Sequence, residues 1–418
     1  MHCYRITGGK RLSGDITVGG SKNAALPILF SAILSETPTV IENLPDIRDV
    51  HTALNILKKM GAVIRLKDGT AVIDTHALRP ARDLSEAGEL RAGVYLLGAC
   101  LSRFGEAEIP LPGGCDFGNR PIDYHLAALR ALGAEIAEEN GRIYAIATHM
   151  RGAHIVLPHP SVGATVNALL AAVTAEGVSV IENAAAEPHI TDLITFLRNS
   201  GAHITGDGTS ALTVRGVPAL KGTRHRLIGD MIEAGTYLYM GAATGGCVKV
   251  NGVDPGEMTA IVDVLSRMGC RIRTGEHFVT ADAPACLCAT SVVTAPYPGF
   301  PTDMQPLFGA LLTAAEGTGK ITEKVWKNRF RYVGALQSFG VEAAVDGSTA
   351  VIRGGIPLKG ADVIATDLRG GAALILAALT AEGVSHVGNA HFIARGYEKL
   401  AEKLCSLGAD VTETDRTV

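Results

Sequence analysis

Apolar residues follow two alternating patterns along this chain, and the alternation recurs six times. Runs such as NAALPILFSAIL, TVNALLAAVTAEG and AALILAALTAEG are apolar on nearly every helical face, so they predict buried helices. After each run the sequence predicts a β-branched strand such as VSVIEN, then an amphipathic helix and two short strands. The pattern therefore predicts six βα-type units.

A glycine ends the amphipathic helix of every unit. Its contexts include LKKMGAVI, LRALGAEI and LCSLGADV, and successive glycines lie 68 to 72 residues apart. A fixed period of this length indicates repeated structural units. Residues that all units share serve packing, so residues that one unit alone carries are the candidates for function. The six glycines are Gly61, Gly133, Gly201, Gly269, Gly340 and Gly408.

The two ends of the chain resemble parts of one repeat. The stretch YRITGGKRLSGDITVGGSKNAAL parallels AVIRGGIPLKGADVIATDLRGGAAL, whereas the sixth unit reaches only its first strand before Val418. The first 20 residues are therefore predicted to complete unit six. We expect a domain of repeats one to three (residues 21–229) and a domain of repeats four to six with the N-terminal strands (residues 1–20 and 230–418). Chain crossings near Gly20 and Gly229 would form the hinge.

The composition of the 418 residues is that of a globular protein, with 47% hydrophobic and 19% charged residues. A net charge of −4 argues against nucleic acid as a partner, so an anionic ligand would need local cations. No apolar stretch has the length of a membrane span. The cysteines and histidines show no metal-binding spacing, and no phosphate loop or dinucleotide fingerprint is present, so neither a metal nor a cofactor is predicted.

The first residues, MHCYRITGGKRLSG, lack the apolar core of a signal peptide. The eight cysteines are scattered rather than arranged as a disulfide framework. Both observations favour a cytoplasmic protein with reduced thiols.

When the six buried helices are aligned, several of them have a polar residue at or just before their first turn. A helix N-terminus offers unpaired N–H groups and the positive end of the helix dipole, so several of them around one cleft would form an anion site. Ordinary capping is the alternative; it suits Asn23 and Asp303 but does not explain the arginines. The aligned positions are Asn23, Arg91, Gly163, Met231, Asp303 and Arg369.

The second unit is the longest, and its extra length falls in LPLPGGCDFGNRPIDYHL. The glycines and prolines of this segment predict a mobile loop with Cys115 at its tip. Arg120 follows five residues later, near enough to lower the thiol pKa if the loop folds back. Most cysteines are structural, but an exposed and movable thiol suits a nucleophile or proton donor.

Several charged residues stand at the junctions between units. Lys22 lies at the start of the first buried helix, where it can reach a phosphate, although a solvated lysine is the commoner outcome. Asp303 in FPTDMQ is either a cap or a carboxylate that accepts a substrate hydroxyl proton. Exposed arginines usually contribute little, but clustered across a cleft they grip carboxylate and phosphate. The arginines concerned are Arg329, Arg369 and Arg395.

Taken together, the motifs resemble those of the enolpyruvyl transferase family, in particular its members that act on UDP-N-acetylglucosamine. The resemblance covers essentially the whole chain. It is carried by GSKNAALPILFSAIL, LRAG, LPGGCxxGxRPxDxH, SVGATVNALLAA, FPTDMQ, AEGTGKITE, NRF, TDLRGGAALILAAL and RGYEKL. The resemblance implies an α/β fold of two inside-out α/β barrel domains, each of three repeats with buried helices.

The same resemblance implies an activity. The enolpyruvyl group of phosphoenolpyruvate would be transferred to the 3-hydroxyl of UDP-N-acetylglucosamine with release of phosphate, the first committed step of peptidoglycan synthesis. Four catalytic residues are implied. Cys115 would be the general acid and the covalent target of fosfomycin, Asp303 would handle the sugar hydroxyl proton, and Lys22 and Arg395 complete the set. The residues implied in phosphoenolpyruvate binding are Lys22, Asn23, Arg120, Arg329, Arg369 and Arg395. Those implied in nucleotide-sugar binding are Arg91, Arg120, Pro121, Ile122, Asp123, Tyr124, Ser161, Val162, Gly163, Asp303 and Val325.

Two alternatives remain open at this stage. The sister enzyme that makes 5-enolpyruvylshikimate 3-phosphate shares the fold but does not use a PGGC loop, so Cys115 argues against it. A catalytically silent paralogue that binds a nucleotide sugar is disfavoured by the intact functional set. Three departures from the family pattern, at Met231, His159 and the pair Arg331-Tyr332, touch expected ligand or interdomain surfaces.

Overall fold

The computed structural model describes residues 2–80, 84–111 and 122–415. These ranges divide into two compact units, each with its own hydrophobic core. We call residues 20–80, 84–111 and 122–228 the inserted unit, and residues 2–19 and 229–415, which lie on either side of it in sequence, the terminal unit. Within the described ranges, none of the helices combines the length and the apolar composition needed to cross a membrane.

The inserted unit contains three repeats of similar construction. Its central helices are Lys22–Ser31, Tyr95–Phe104 and Val162–Ala172, with 3-10 turns at Ala32–Leu34 and Arg91–Val94. Its outer helices are Arg48–Lys59, Asp123–Ala131 and Pro188–Asn199, and a short helix spans Ser85–Glu89. It has three sheets, whose strands are given in spatial order. The first consists of Arg224–Arg226, Thr39–Glu42, Thr70–Asp74 and Val63–Lys67, and the second of Glu106–Pro110, Arg142–Ile146 and Glu135–Glu139. The third consists of His203–Thr205, Ala211–Arg215, Val178–Glu182 and His154–Val156.

The terminal unit repeats this construction. Its central helices are Met231–Ala243, Gln305–Thr313 and Leu368–Thr380, with 3-10 turns at Pro255–Met258 and Thr302–Met304. Its other helices are Thr259–Arg267, Arg331–Gln337, Ala390–Ile393 and Leu400–Ser406. It has three four-stranded sheets, whose strands are given in spatial order. The first consists of Arg271–Gly275, Phe278–Asp282, Cys247–Asn251 and Gly14–Thr17, and the second of Val292–Val293, Thr318–Thr322, Thr349–Arg353 and Glu342–Asp346. The third consists of Asp362–Ile364, Val384–Gly388, His2–Thr7 and Asp410–Asp415. A two-stranded ladder joins Leu287–Cys288 to Ala315–Glu316.

The central helices form the core of each unit, as their apolar sequences predict. Along Leu368–Thr380, every residue from Arg369 to Leu379 is buried. The outer helices bury one face only; Arg48–Lys59, for example, buries Val50, Leu54 and Leu57 at helical spacing. The strands alternate buried and exposed residues, because one face of each sheet covers the helices. The predicted α/β fold with helices inside and sheets outside is confirmed.

The six repeat glycines end their helices by the same geometry. All six have φ between 93° and 106°, a left-handed conformation that strains any residue with a Cβ. At the first of them, the N–H of Gly61 donates to the carbonyl of Lys58, and the next N–H, of Ala62, donates to Leu57, each at 2.9 Å. The recurring glycine therefore terminates helices, and the prediction that it serves the scaffold is confirmed.

Within the described ranges, five of the six repeats contribute their last strand to the sheet of a neighbouring repeat; the three-stranded sheet of the second repeat receives none. In the inserted unit, Arg224–Arg226 from the end of the third repeat pairs in parallel with Thr39–Glu42 of the first. In the terminal unit, Gly14–Thr17 pairs in parallel with Cys247–Asn251 of the fourth repeat. Residues His2–Thr7 lie between Val384–Gly388 and Asp410–Asp415 in the sheet of the sixth repeat. The exchange links the repeats of a unit, and residues before the inserted unit supply strands to two sheets of the terminal unit.

Candidate active site

The carboxylate of Asp303 in the terminal unit lies between two buried arginines. Its Oδ1 accepts a hydrogen bond from Nη2 of Arg329 at 2.9 Å, and its Oδ2 accepts from Nε and Nη2 of Arg369 at 3.2 and 3.1 Å. The arginine side chains are 4% exposed, whereas that of Asp303 is 31% exposed. The site therefore presents a partly solvent-accessible carboxylate and two fixed guanidinium groups, whose N–H donors suit the carboxylate and phosphate groups of a ligand.

Arg369 is held in place from several sides. It is the second residue of the helix Leu368–Thr380, in which the N–H groups of the second and third residues, Arg369 and Gly370, donate to Oδ1 of Asp367 at 3.1 and 3.0 Å. Its guanidinium carbon lies 5.4 Å from the centroid of the Tyr397 ring, a cation–π contact. Burial alone would lower the pKa of Arg369, but Tyr397 and Asp303 outweigh that effect and raise the pKa above its usual value. The guanidinium group is therefore a permanent positive charge.

Arg395 belongs to a loop anchored beside this cluster. It is half-buried between the helices Ala390–Ile393 and Leu400–Ser406. Two residues later, Tyr397 is buried against Arg369, and its hydroxyl lies 2.9 Å from Oγ1 of Thr236 on a central helix. The ring fixes the chain next to Arg395. Tyr397 lies within the motif RGYEKL, but nothing in the sequence indicated that it would contact Arg369.

Asp303 and Asn23 do not cap helices. Pro301 occupies the N-cap of the turn Thr302–Met304, and Ser21 that of the helix Lys22–Ser31, in which Asn23 is the second residue. Caps are instead supplied by Ser161, Asp230 and Asp367, whose side-chain oxygens accept backbone N–H bonds. The capping interpretation is therefore wrong at Asn23 and at Asp303. Because three of the six central helices have capping side chains, helix N-termini contribute less to anion binding than their number suggested.

Lys22 and Asp49 form a buried ion pair in the inserted unit. The Lys22 Nζ lies 2.8 Å from Oδ2 of Asp49, and the two side chains are 13% and 6% exposed. Lys22 is the first residue of its central helix, and Asp49 lies in the first turn of Arg48–Lys59. The ammonium group is therefore fixed at the helix start. Sequence reasoning missed Asp49, because an acidic residue in the first turn of an amphipathic helix is typical of a solvent-facing position.

The imidazole of His125 packs directly against Gly163, near the start of the helix Val162–Ala172. A Cβ atom on residue 163 would lie 2.5 Å from Cε1 of His125, so only glycine fits. The hydroxyl oxygen of Ser161 accepts the N–H of Ala164 and shapes the same helix start. The Tyr124 ring lies 6.5 Å from that of His159, centroid to centroid. The structure thus brings Tyr124 and His125 together with the segment that contains Ser161, Val162 and Gly163.

Asn167 determines which nitrogen of His125 carries the proton. Its Nδ2 donates to Nδ1 of His125 at 2.8 Å, so the ring N–H is assigned to Nε2. Burial, and secondarily the charge of Arg91, lower the pKa of His125 to about 3. The ring is therefore neutral at neutral pH. Asn167 is a buried amide within the apolar run TVNALLAA, a signal that sequence reasoning left unused.

Replacing Asn167 with leucine is expected to lower the free energy of unfolding by about 3 kcal/mol. The asparagine also donates to the carbonyl of Val94 at 3.0 Å and accepts from the N–H of Gly98 at 2.8 Å, so leucine leaves several buried polar groups without partners. Urea unfolding followed by circular dichroism measures the change. The matched control is Asn199→Leu, at an exposed helix end, with an expected change below about 0.5 kcal/mol. Equal losses in both variants would contradict this account of Asn167.

The remaining predicted residues occupy different settings. Arg91 is exposed at the start of the turn Arg91–Val94, and Asp123 is exposed as the first residue of its helix. Ile122 and Val325 are half-buried. Cys115, Arg120 and Pro121 lie outside the described residues. Within the described ranges, His, Cys, Asp and Glu side chains form no group of three or more that could hold a metal ion.

Comparisons of the whole chain with known proteins agree on one family. The family model described as EPSP synthase (3-phosphoshikimate 1-carboxyvinyltransferase) matches residues 6–404. UDP-N-acetylglucosamine 1-carboxyvinyltransferase 3 of Caldanaerobacter subterraneus is 45% identical, and the match covers 98% of this chain and 99% of that protein. UDP-N-acetylglucosamine 1-carboxyvinyltransferase of Halothermothrix orenii is 46% identical with the same coverage.

Solved structures extend the likeness to three dimensions. The enolpyruvyl transferase NikO from Streptomyces tendae matches with a TM-score of 0.90 at 29% identity, over 99% of both chains. EPSP synthase from Acinetobacter baumannii matches with a TM-score of 0.76 at 21% identity, over 99% of this chain and 100% of that one. The second likeness supports the fold alone.

Proposed function

This chain belongs to the enolpyruvyl transferase family, and we propose that it transfers the enolpyruvyl group of phosphoenolpyruvate to the 3-hydroxyl of UDP-N-acetylglucosamine. The observation that carries the proposal within the structure is the Asp303 carboxylate held between Arg329 and Arg369. It places a base among fixed positive charges, and both substrates are anions.

The reaction divides into an addition and an elimination. In the addition, the sugar oxygen forms a bond to C2 of phosphoenolpyruvate, the hydroxyl proton passes to a base, and C3 takes a proton from an acid. In the elimination, C3 loses a proton, the bond from C2 to the phosphate oxygen breaks, and inorganic phosphate leaves. We assign the acid role to Cys115 and the base role to Asp303. Fixed cations lower the barrier because negative charge shifts toward the phosphate as it departs.

The identity of the acceptor follows from the pattern of similarity. Relatives named for UDP-N-acetylglucosamine match at 45% and 46% identity over nearly their whole length. The EPSP synthase structure shares only 21% identity. We therefore assign the nucleotide sugar, rather than shikimate 3-phosphate, as the acceptor. A silent paralogue would also have no reason to retain the Asp303 cluster, because its assembly desolvates two guanidinium charges.

Each unit contributes residues to the proposed roles. In the inserted unit, Lys22 and Asn23 are assigned to phosphoenolpyruvate, together with Arg120 outside the described residues. In the terminal unit, Arg329, Arg369 and Arg395 are assigned to its anionic groups. The residues assigned to the nucleotide sugar are Arg91, Arg120, Pro121, Ile122, Asp123, Tyr124, Ser161, Val162, Gly163, Asp303 and Val325.

The product of this reaction is a precursor of peptidoglycan, so we propose a role in cell wall synthesis and, through it, in cell shape and division. We also propose that the protein works in the cytoplasm. The seven cysteines in the described ranges are free thiols, as a reducing compartment favours. Fosfomycin is proposed to inhibit the protein by covalent reaction with Cys115.

Phosphate release tests the proposed function. The purified protein is mixed with phosphoenolpyruvate and either UDP-N-acetylglucosamine, shikimate 3-phosphate or no acceptor. We expect release only with the nucleotide sugar. Release with shikimate 3-phosphate instead would assign the chain to the sister activity. Absence of release with either acceptor, together with measurable binding of UDP-N-acetylglucosamine, would identify a silent binding protein.

A further inference from the structure

One position, immediately after the first strand of a repeat, is filled in the same way in three repeats and differently in the fifth. Asn43, Asn183 and Asn389 all have positive φ, between 55° and 59°. Each donates its side-chain N–H to a carbonyl just beyond the neighbouring parallel strand; the acceptors are Leu227, Leu157 and Ala365, at 3.0, 2.8 and 3.2 Å. This contact is therefore a structural device shared by the repeats.

Glu323 occupies the equivalent place in the fifth repeat. Strand register establishes the equivalence: Thr322 pairs with Val293, so Glu323 stands opposite Thr294. In the first repeat, Glu42 pairs with Arg226, so Asn43 stands opposite Leu227. The fifth repeat thus replaces a side chain that can donate with one that, when ionised, only accepts hydrogen bonds.

The Glu323 carboxylate is buried and accepts four hydrogen bonds. Its Oε1 accepts from the hydroxyl of Thr294 at 2.7 Å and from the N–H groups of Val325 and Trp326 at 2.8 and 3.0 Å. Its Oε2 accepts from the hydroxyl of Thr302 at 2.9 Å. The residue is 3% exposed. Four hydrogen bonds from uncharged donors give a rigid junction, because a shift of any bonded segment would leave part of a buried carboxylate without a partner.

The bonded segments carry the two partners of an ion pair. Thr302 directly precedes Asp303, and both belong to the turn Thr302–Met304. Val325 and Trp326 begin the loop that continues to Arg329, whose Nη2 lies 2.9 Å from Oδ1 of Asp303. Glu323 therefore joins the segment that presents the carboxylate to the segment that presents the arginine.

We infer that Glu323 is a positioning residue for enolpyruvyl transfer, which sets the distance and direction between Asp303 and Arg329 without touching substrate itself. The inference rests on the proposed function. Three of the other five repeats hold their strand ends together with asparagine at this place, so strand closure alone does not require a carboxylate. A carboxylate occurs in the repeat that carries Asp303, and it binds the chain on both sides of the Asp303–Arg329 pair.

The test exchanges Glu323 for asparagine, the residue that three other repeats use. Glu323→Asn keeps a polar side chain that can still bond to Thr294, but it is too short to serve Thr302 and the two loop N–H groups together. Glu323→Gln, which keeps the length and loses one acceptor, serves as a second variant should Glu323→Asn fold poorly. The matched control is Glu182→Gln, on an exposed strand end of the inserted unit where the glutamate pairs with His154. Each variant is assayed by phosphate release, by thermal unfolding and by titration with UDP-N-acetylglucosamine.

We expect Glu323→Asn to lower kcat by at least about tenfold, since a displacement of the reacting groups by a fraction of an ångström to 1 Å costs up to a hundredfold. The KM for phosphoenolpyruvate should stay within about twofold, and Glu182→Gln should match the wild type on every measure. Glu323→Gln should fall between the two. A purely structural role would instead lower the unfolding temperature while the folded fraction kept its kcat.

The outcomes separate this inference from the proposed function. Phosphate release by the wild type and unchanged kcat in folded Glu323→Asn, or in Glu323→Gln where the first variant does not fold, would overturn the inference and leave the proposed function standing. A wild type that releases no phosphate would overturn the proposed function and the inference with it.

Discussion

Asp303→Asn is expected to lower the kcat for enolpyruvyl transfer by about a thousandfold, within the range set by loss of a general base. The amide retains an oxygen that accepts from Arg329 or Arg369, but it takes up no proton from the sugar hydroxyl. The substitution also removes the negative charge between two buried guanidinium groups, which increases the repulsion between them. Steady-state phosphate release with saturating substrates measures the loss, and circular dichroism verifies the fold.

The chain supplies a matched control for this substitution. Asp263 also bonds to an arginine, Arg267, but both side chains are well exposed. Asp263→Asn is expected to keep the wild-type kcat, since an exposed ion pair contributes little and lies outside the proposed machinery. A kcat for Asp303→Asn within threefold of the wild type would refute the assignment of Asp303 as the base.

Cys115→Ser is expected to reduce turnover by at least about a hundredfold and to abolish covalent labelling by fosfomycin. A hydroxyl is a far weaker acid and nucleophile than a thiol, whose ordinary pKa is near 8.5. Phosphate release measures turnover, and mass spectrometry of the intact protein detects the adduct. Because Cys115 lies outside the described residues, this prediction rests on the sequence of its loop.

The control for the thiol is Cys405→Ser, on an exposed position of the terminal unit. It should leave turnover and labelling unchanged. Labelling that persists in Cys115→Ser and disappears in Cys405→Ser would reassign the reactive thiol to Cys405.

The fold could be predicted from sequence because its signals are local and repeated. The apolar runs gave the central helices, and the glycines at 61, 133, 201, 269, 340 and 408 marked the helix ends that the structure places in a left-handed conformation. The order of the strands in the sheets could not be predicted from the sequence, because the pairing of Arg224–Arg226 with Thr39–Glu42 joins residues far apart in the chain. Nothing in either strand specifies its partner.

The site was predictable only as far as residue type indicates chemistry. Arg329, Arg369 and Asp303 were named separately, but their joint ion pair depends on loop geometry that the sequence does not encode locally. Asp49, Asn167 and Glu323 were missed as partners, because a polar residue reveals its role only through what surrounds it after folding. The assignments for substrate binding remain predictions.

The exchange of strands between repeats bears on the order in which the protein matures during synthesis. All strands of the inserted unit emerge from the ribosome before residue 229, so this unit can fold while translation continues. The segment His2–Thr7 is made first, yet both of its sheet neighbours, Val384–Gly388 and Asp410–Asp415, are made last. The earliest strand of the nascent chain must therefore wait, unpaired in its final sheet, for nearly the whole of translation.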